Sequence, residues 1–176
     1  RSNKMMKKSK RSDVDPFIVM DVMESARIAE EKGKDIIHME VGQPGTPAPK
    51  IAKDYITNEI NKNNLGYTVS LGLPALRTKI SKLYGDWYNL DLNPNRIVVT
   101  TGSSGAFILS FSALFDSGDR VGIGSPSYPS YRQILKSLSL ETVDIQTKLQ
   151  NRFQPVPEDI TNNNLNGILV ASPANP

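Results

Sequence analysis

The chain has 176 residues, 38% of them hydrophobic and 22% charged, with a formal net charge of +3, which is an ordinary globular balance with enough length for a sizeable core. It has no cysteine and a single histidine, His38, which excludes a disulfide framework and any Cys- or His-rich metal centre. No apolar run approaches the roughly 18–20 residues that span a bilayer. The positive excess sits in the tail, because removing Arg1, Lys4, Lys7, Lys8, Lys10 and Arg11 leaves a formal charge of −3 and no expected basic face for nucleic acid.

Residues 1–13 are therefore expected to be a solvated, disordered basic tail. Without a signal-peptide pattern or an apolar span, the expected location is the cytoplasm. The first residue is Arg1, Met5-Met6 follows, and the sequence closes on a turn directly after an apolar run, so a piece of a longer product is expected. Asp15 predicts a helix N-cap and Pro16 the first helical position. Val19, Met23 and Ala26 then share one helical face, and Gly33 supplies the stop. Ile37, Met39 and Val41 alternate with His38 and Glu40, which predicts a half-buried strand. Three prolines and two glycines in residues 42–49 predict a stiff loop.

Ile51, Tyr55, Ile56 and Ile60 mark the next helix, and residues 66–72 form a loop carrying Tyr67. Pro74 opens another helix, whose Leu76, Ile80, Leu83, Tyr84 and Trp87 predict a core face, and Asn93-Pro94-Asn95 is a turn. From there the pattern alternates. Strands are predicted at 97–100, 120–124, 142–145 and 168–171, with helices at 106–115 and 128–138. This predicts an α/β fold with a mostly parallel sheet and helices on both faces. Ligands of such sheets bind beyond the carboxyl ends of the strands.

Three of those ends carry chemistry. "VVTTGSSGAF" is a strand, a Gly/Ser turn and a helix start, a good cradle for phosphate or a plain capped turn. It lacks the Gly-Lys-Ser/Thr of a Walker loop and the dinucleotide glycine fingerprint. Gly102-Ser103-Ser104-Gly105-Ala106 also approximates a hydrolase nucleophile elbow with Ser104 as nucleophile, although no histidine follows it. In "SPSYPSY", Pro126 and Pro129 bracket Tyr128, whose ring could stack on a flat heteroaromatic ligand or could be an ordinary packed aromatic. In "SPANP", Asn175 is restricted by the following proline, and its amide could donate to a ligand oxygen or merely close a turn. An anion cradle, a ring and an amide after strand ends describe a phosphorylated heteroaromatic ligand with a hydroxyl or phenolate oxygen. Pyridoxal 5′-phosphate fits that description.

With "EVGQPGTPAP", "LGYTVSLGLPALRTKI", "VVTTGSSGAF", "GIGSPSYPSY" and "ASPANP" in this order, the chain resembles the class I/II aminotransferases of the fold-type I pyridoxal-phosphate group from about Val14 to Pro176. The resemblance implies an N-terminal arm and small-domain segment over 14–46 and the first half of a cofactor-binding large domain over 47–176. It implies that Ser103 and Ser104 bind the cofactor phosphate on a loop shaped by Gly102, that Tyr128 stacks on the pyridine ring, and that Asn175 bonds its phenolic oxygen. Tyr67 would reach the phosphate of the neighbouring subunit of a homodimer, and Gly42 would lie near the substrate carboxylate. The implied reaction is ping-pong Schiff-base transamination between an L-amino acid and a 2-oxo acid. The Schiff-base lysine, the aspartate on the pyridine nitrogen and the carboxylate-binding arginine would all lie outside these residues. No catalytic residue is therefore assigned in the chain, and no metal is expected. Lyases and decarboxylases of the same fold share this half of the pocket and remain the alternative, beside the hydrolase.

Overall fold

The stretch Arg-Val-Gly-Ile-Gly-Ser alternates large aliphatic residues with glycine, and it forms the central strand, β1 (Arg120–Ser125). The structure, a computed structural model, describes residues 7–175; residues 1–6 of the basic tail and Pro176 lie outside the described residues. β1 pairs in parallel with β2 (Glu141–Gln146) on one side and β3 (Gly167–Leu169) on the other, giving the order β2-β1-β3. Parallel neighbours need a crossover. α5 (Pro129–Ser137) supplies the first, and α6 (Pro157–Asn162) lies in the second. The parallel α/β architecture is as the alternation of elements indicates.

Successive strand residues face opposite ways. Val121 and Ile123, each 1% exposed, pack with Phe111 of α4 (Gly102–Leu114) and with Tyr131, Ile134 and Leu135 of α5. Burial of each such side chain contributes about 1.5–3 kcal/mol. Gly122 faces the other way. A Cβ built there would lie 2.7 Å from Leu165 Cδ1 and 3.0 Å from Ile145 Cδ1, so that side is closely covered as well. The asparagine-rich tract ties the amino edge of the sheet. Arg120 forms an ion pair with Glu141 and donates to the carbonyls of Asn163 and Asn164, while Asn166 Oδ1 accepts from the Arg120 N–H at 2.9 Å.

α1 (Ile18–Glu31) begins later than Asp15-Pro16 predicts. Phe17 stands at the cap position without a side-chain bond, so Asp15 is not the cap. Its backbone is engaged by α5 instead. Gln133 Nε2 donates to the carbonyls of Asp15 and Pro16 at 3.2 and 3.3 Å, and Lys136 Nζ lies 3.5 Å from the Asp15 carboxylate. A tertiary tie has overridden a local capping preference. The helix ends near Gly33, whose φ is +79°, as read from the sequence.

The described residues divide into two units, one joining the segment that ends at Ile36 with the segment that begins at Thr101, the other being Ile37–Thr100. The second holds α2 (Lys50–Lys62) and α3 (Pro74–Tyr88). The strand predicted at 37–41 is irregular chain, with Ile37 85% and Met39 88% exposed, and residues 97–100 form no strand either. Alternation marks residues able to line a sheet, but a strand also needs a ladder. The Val99 N–H finds a single backbone partner there, Leu71 O at 3.0 Å. The predicted core face of α3 is also open, with Leu76, Leu83, Tyr84 and Trp87 all exposed. The buried residue of α3 is Arg77. Its guanidinium donates to Gly72 O at 3.3 Å and to Pro94 O at 3.0 Å, clamping the helix start to the predicted Asn93-Pro94-Asn95 turn. Asn93 Oδ1 accepts from the Asn95 N–H at 2.9 Å in that turn.

Leu135 is completely buried, so Leu135→Ala is expected to lower the unfolding free energy by about 2–5 kcal/mol in urea titration. His38 Nδ1 lies 2.6 Å from Glu40 Oε1, and this bond, helped by backbone N–H groups, holds the Glu40 carboxyl below its ordinary range. A lowered folded pKa stabilises above the free value of about 4.3, and that contribution disappears as pH falls through the folded value. Carboxyl NMR titration should place Glu40 below an ordinary glutamate, and His38→Ala should return it toward the ordinary value.

Candidate functional site

The carboxyl ends of β1 and β3 each run into a proline turn, and the Ser125–Pro126 and Ser172–Pro173 bonds are both cis. Thr147 closes the end of β1, with its N–H and its hydroxyl both donating to Ser125 O, at 3.1 and 2.9 Å. Gln154 Nε2 holds the second turn by donating to Ala171 O at 2.9 Å. Between the two ends lies a small cleft lined by Gly124, Pro126, Tyr131, Leu169, Ala174 and Asn175.

Tyr128 stands at the N-cap of α5 in extended conformation, directly before Pro129 at the first helical position. Its half-buried ring meets Phe17 at 6.0 Å and 85° and Tyr131 at 5.5 Å and 80°. Both neighbours are perpendicular to it, so neither is stacked in parallel on its face. Tyr131, one turn into the helix, is 5% exposed and also packs perpendicular to Phe107 of α4 at 5.2 Å. Asn175 Nδ2 donates to the Tyr131 hydroxyl at 3.5 Å. Asn175 and Tyr128 thus meet through one buried ring. α5 itself is fastened to β2 by a bidentate pair, with Arg132 Nη1 and Nη2 each 2.6 Å from an Asp144 carboxylate oxygen. This hydrogen bonding raises the Arg132 pKa above its already high ordinary value, so the guanidinium stays charged throughout the working range.

α4 joins the same cluster through Phe107, one helical turn beyond Ser103. Its first turn carries two hydroxyls beside a glycine. The Thr101 side chain makes no capping bond, Gly102 turns the chain with φ +78°, and the exposed Ser103 and Ser104 begin the helix. First-turn N–H groups have no partner within the helix, and the dipole there favours negative charge. The hydrolase alternative needs a strand before its nucleophile, and residues 97–100 do not form one, so Ser104 sits in an ordinary first turn rather than a nucleophile elbow.

The other two residues singled out lie in the Ile37–Thr100 unit. Gly42 centres a tight turn in which the Gln43 N–H donates to Val41 O at 2.8 Å. Tyr67 is fully exposed, in a loop that with Tyr55, Glu59 and Leu73 lines an open groove. Nothing in the sequence by itself marks Tyr131 or Phe17 as a site residue. The one available signal for Tyr131 was its position three residues after Tyr128, next to it on a helical face. Lys136 is paired with Asp15, Lys148 is exposed, and no lysine lines the cleft among the described residues. Among the described residues no group of three or more His, Asp and Glu side chains could hold a metal, and no helix is long and apolar enough to cross a membrane.

The chain is 42% identical over 168 residues to the valine–pyruvate aminotransferase of Mycobacterium tuberculosis, covering 94% of this chain and 43% of that protein. Its structure superimposes on an aminotransferase from Mycobacterium tuberculosis with a TM-score of 0.90 at 41% identity, covering 97% of this chain and 45% of the other. A Silicibacter pomeroyi protein assigned as an aminotransferase gives 0.84 at 59% identity, covering 97% and 44%. The chain thus spans less than half the length of these relatives. Residues 34–176 match the family model "Aminotransferase class I and II", and the chain belongs to that family.

Proposed function

We propose that this chain forms part of a pyridoxal 5′-phosphate-dependent aminotransferase that moves an amino group between an L-amino acid and a 2-oxo acid. The observation that carries the reading is the grouping of Asn175, Tyr131 and Tyr128 at the carboxyl ends of β1 and β3, in a chain of this family. The donor set fits the cofactor. Ser103 and Ser104 offer two hydroxyls at a helix start, where Gly102 keeps the backbone approachable. Tyr128 offers a ring held between Pro126 and Pro129, and Asn175 offers an amide with two N–H donors, one of them shared with Tyr131.

Pyridoxal phosphate, when bound, supplies the electron sink that makes the bonds at the substrate α-carbon labile. The residues of this chain would hold and orient it. Ser103, Ser104 and the first-turn N–H groups of α4 would take the phosphate. Tyr128 would lie against the ring, a contact worth about 0.5–1.5 kcal/mol beyond burial. Asn175 would donate to the ring oxygen, a bond that favours the ionised form of such an oxygen. Gly42, in its tight turn, offers backbone N–H toward the substrate carboxylate, and Tyr67 serves the phosphate site of the second subunit in a cytoplasmic homodimer. The lysine that exchanges protons with substrate belongs to residues outside this chain. The catalytic unit is the whole enzyme, with 14–46 as its arm and small-domain segment and 47–176 as the first part of its large domain.

The test is the whole protein, reconstituted with pyridoxal phosphate and supplied with valine and pyruvate, the pair for which the Mycobacterium tuberculosis relative is named, and with aspartate and 2-oxoglutarate. Amino transfer to the 2-oxo acid is expected, and absence of both cofactor binding and turnover would overturn the reading. Ser103→Ala with Ser104→Ala should weaken cofactor binding about tenfold or more, as expected for lost bonds to a charged group. The 176 residues by themselves should show no turnover.

A further inference from the structure

Tyr131 is buried, and the proposed function gives it no role toward the cofactor of its own. It is 5% exposed and stands where three separate pieces of chain meet. Its hydroxyl accepts from Asn175 Nδ2 at 3.5 Å, in the turn after β3. Its ring is perpendicular to Tyr128, 5.5 Å away at the end of β1, and to Phe107, 5.2 Å away on α4 one turn beyond Ser103. A core aromatic needs no hydroxyl at this point, since Phe107 and Phe111 fill the same cluster without one. The polar end of Tyr131 is turned to the single residue of the last turn that carries an amide.

Resting on the reading above, we propose that Tyr131 is a positioning residue: by accepting one N–H of Asn175 it leaves the second N–H aimed at the ring oxygen of the bound cofactor, while its ring holds Tyr128 and α4 in fixed relation to that amide. An asparagine on an exposed turn samples several rotamers, and an amide donates two hydrogen bonds. Satisfying one of them on the hydroxyl of a buried ring selects the rotamer that presents the other. The effect on the cofactor is electrostatic, because a donated hydrogen bond favours the anionic oxygen and its loss raises the pH at which that oxygen ionises. The charged side chains of the same helix do not compete for Asn175. Arg132 is held by Asp144, and Lys136 lies by Asp15.

The whole protein is titrated spectroscopically with pyridoxal phosphate bound, and cofactor affinity is measured in parallel. Tyr131→Phe keeps the ring and removes only the hydroxyl. It should move the pH midpoint of the bound cofactor's visible band upward by about half a unit or more and weaken cofactor binding about 3–10-fold, the range for one lost hydrogen bond. Asn175→Ala, on the exposed turn, should reproduce the upward shift, and adding Tyr131→Phe to it should shift the midpoint no further. Wild-type titration by Tyr131→Phe, or a shift undiminished in the Asn175→Ala background, overturns the proposal while leaving the proposed function standing. Absence of any visible band with the wild-type protein overturns both.

Discussion

The site depends on the central strand being paired in parallel on both sides. Because β2 and β3 run with β1, every chain segment leaving the sheet forward leaves from one edge, and the turns at Pro126 and Pro173 are brought side by side. An antiparallel neighbour would send one of those turns to the opposite edge. The amino edge has a different task. Arg120, Glu141 and the asparagine carbonyls tie it with polar bonds, so the ladder is pinned at that end. Glycine at 122 lets the second face of the sheet be covered tightly, which keeps a sheet this narrow in place.

On that frame α5 acts as a bracket. Its apolar side, Ile134 and Leu135, sinks into the core, and its polar side reaches outward in two directions. Arg132 grips Asp144 on β2, and Gln133 with Lys136 catches the chain at Asp15 and Pro16. The second tie brings Phe17 against Tyr128, so the segment ahead of α1 braces the ring presented at the start of α5. Exposed pairs such as Arg132–Asp144 contribute at most about 1 kcal/mol each. Their importance here lies in fixing which way α5 faces.

Much of this was legible in the sequence, for physical reasons that differ by element. β1, β2 and β3 were readable because buried parallel strands are short apolar or β-branched runs bounded by turn residues. The helix starts at Pro74 and Pro129 were readable because proline fits the first helical position. Residues 37–41 and 97–100 carry the same local pattern as a strand, but pairing is a property of two segments, and no pattern in one of them reports the other. The outward turn of Leu76 and Trp87 on α3 has the same origin, since periodicity marks an apolar stripe without naming what covers it. The family motifs named Gly102, Ser103, Ser104, Tyr128 and Asn175. Tyr131 and Phe17 stayed hidden because an aromatic that orients another residue looks like any core aromatic until its neighbours are known.

Gly102 sets a particular kind of limit on how this chain can change. Nothing in the chain lies within 4 Å of the point a methyl group would occupy there, so the chain's own packing sets no obstacle to bulk. The obstacle is handedness, since at φ +78° an L-amino acid is strained however small its side chain. Alanine should be little better tolerated there than leucine, and asparagine or aspartate should be the least damaging replacements. Sequence drift at this turn would thus be filtered by backbone chirality, in a place that a space-filling view would mark as freely variable.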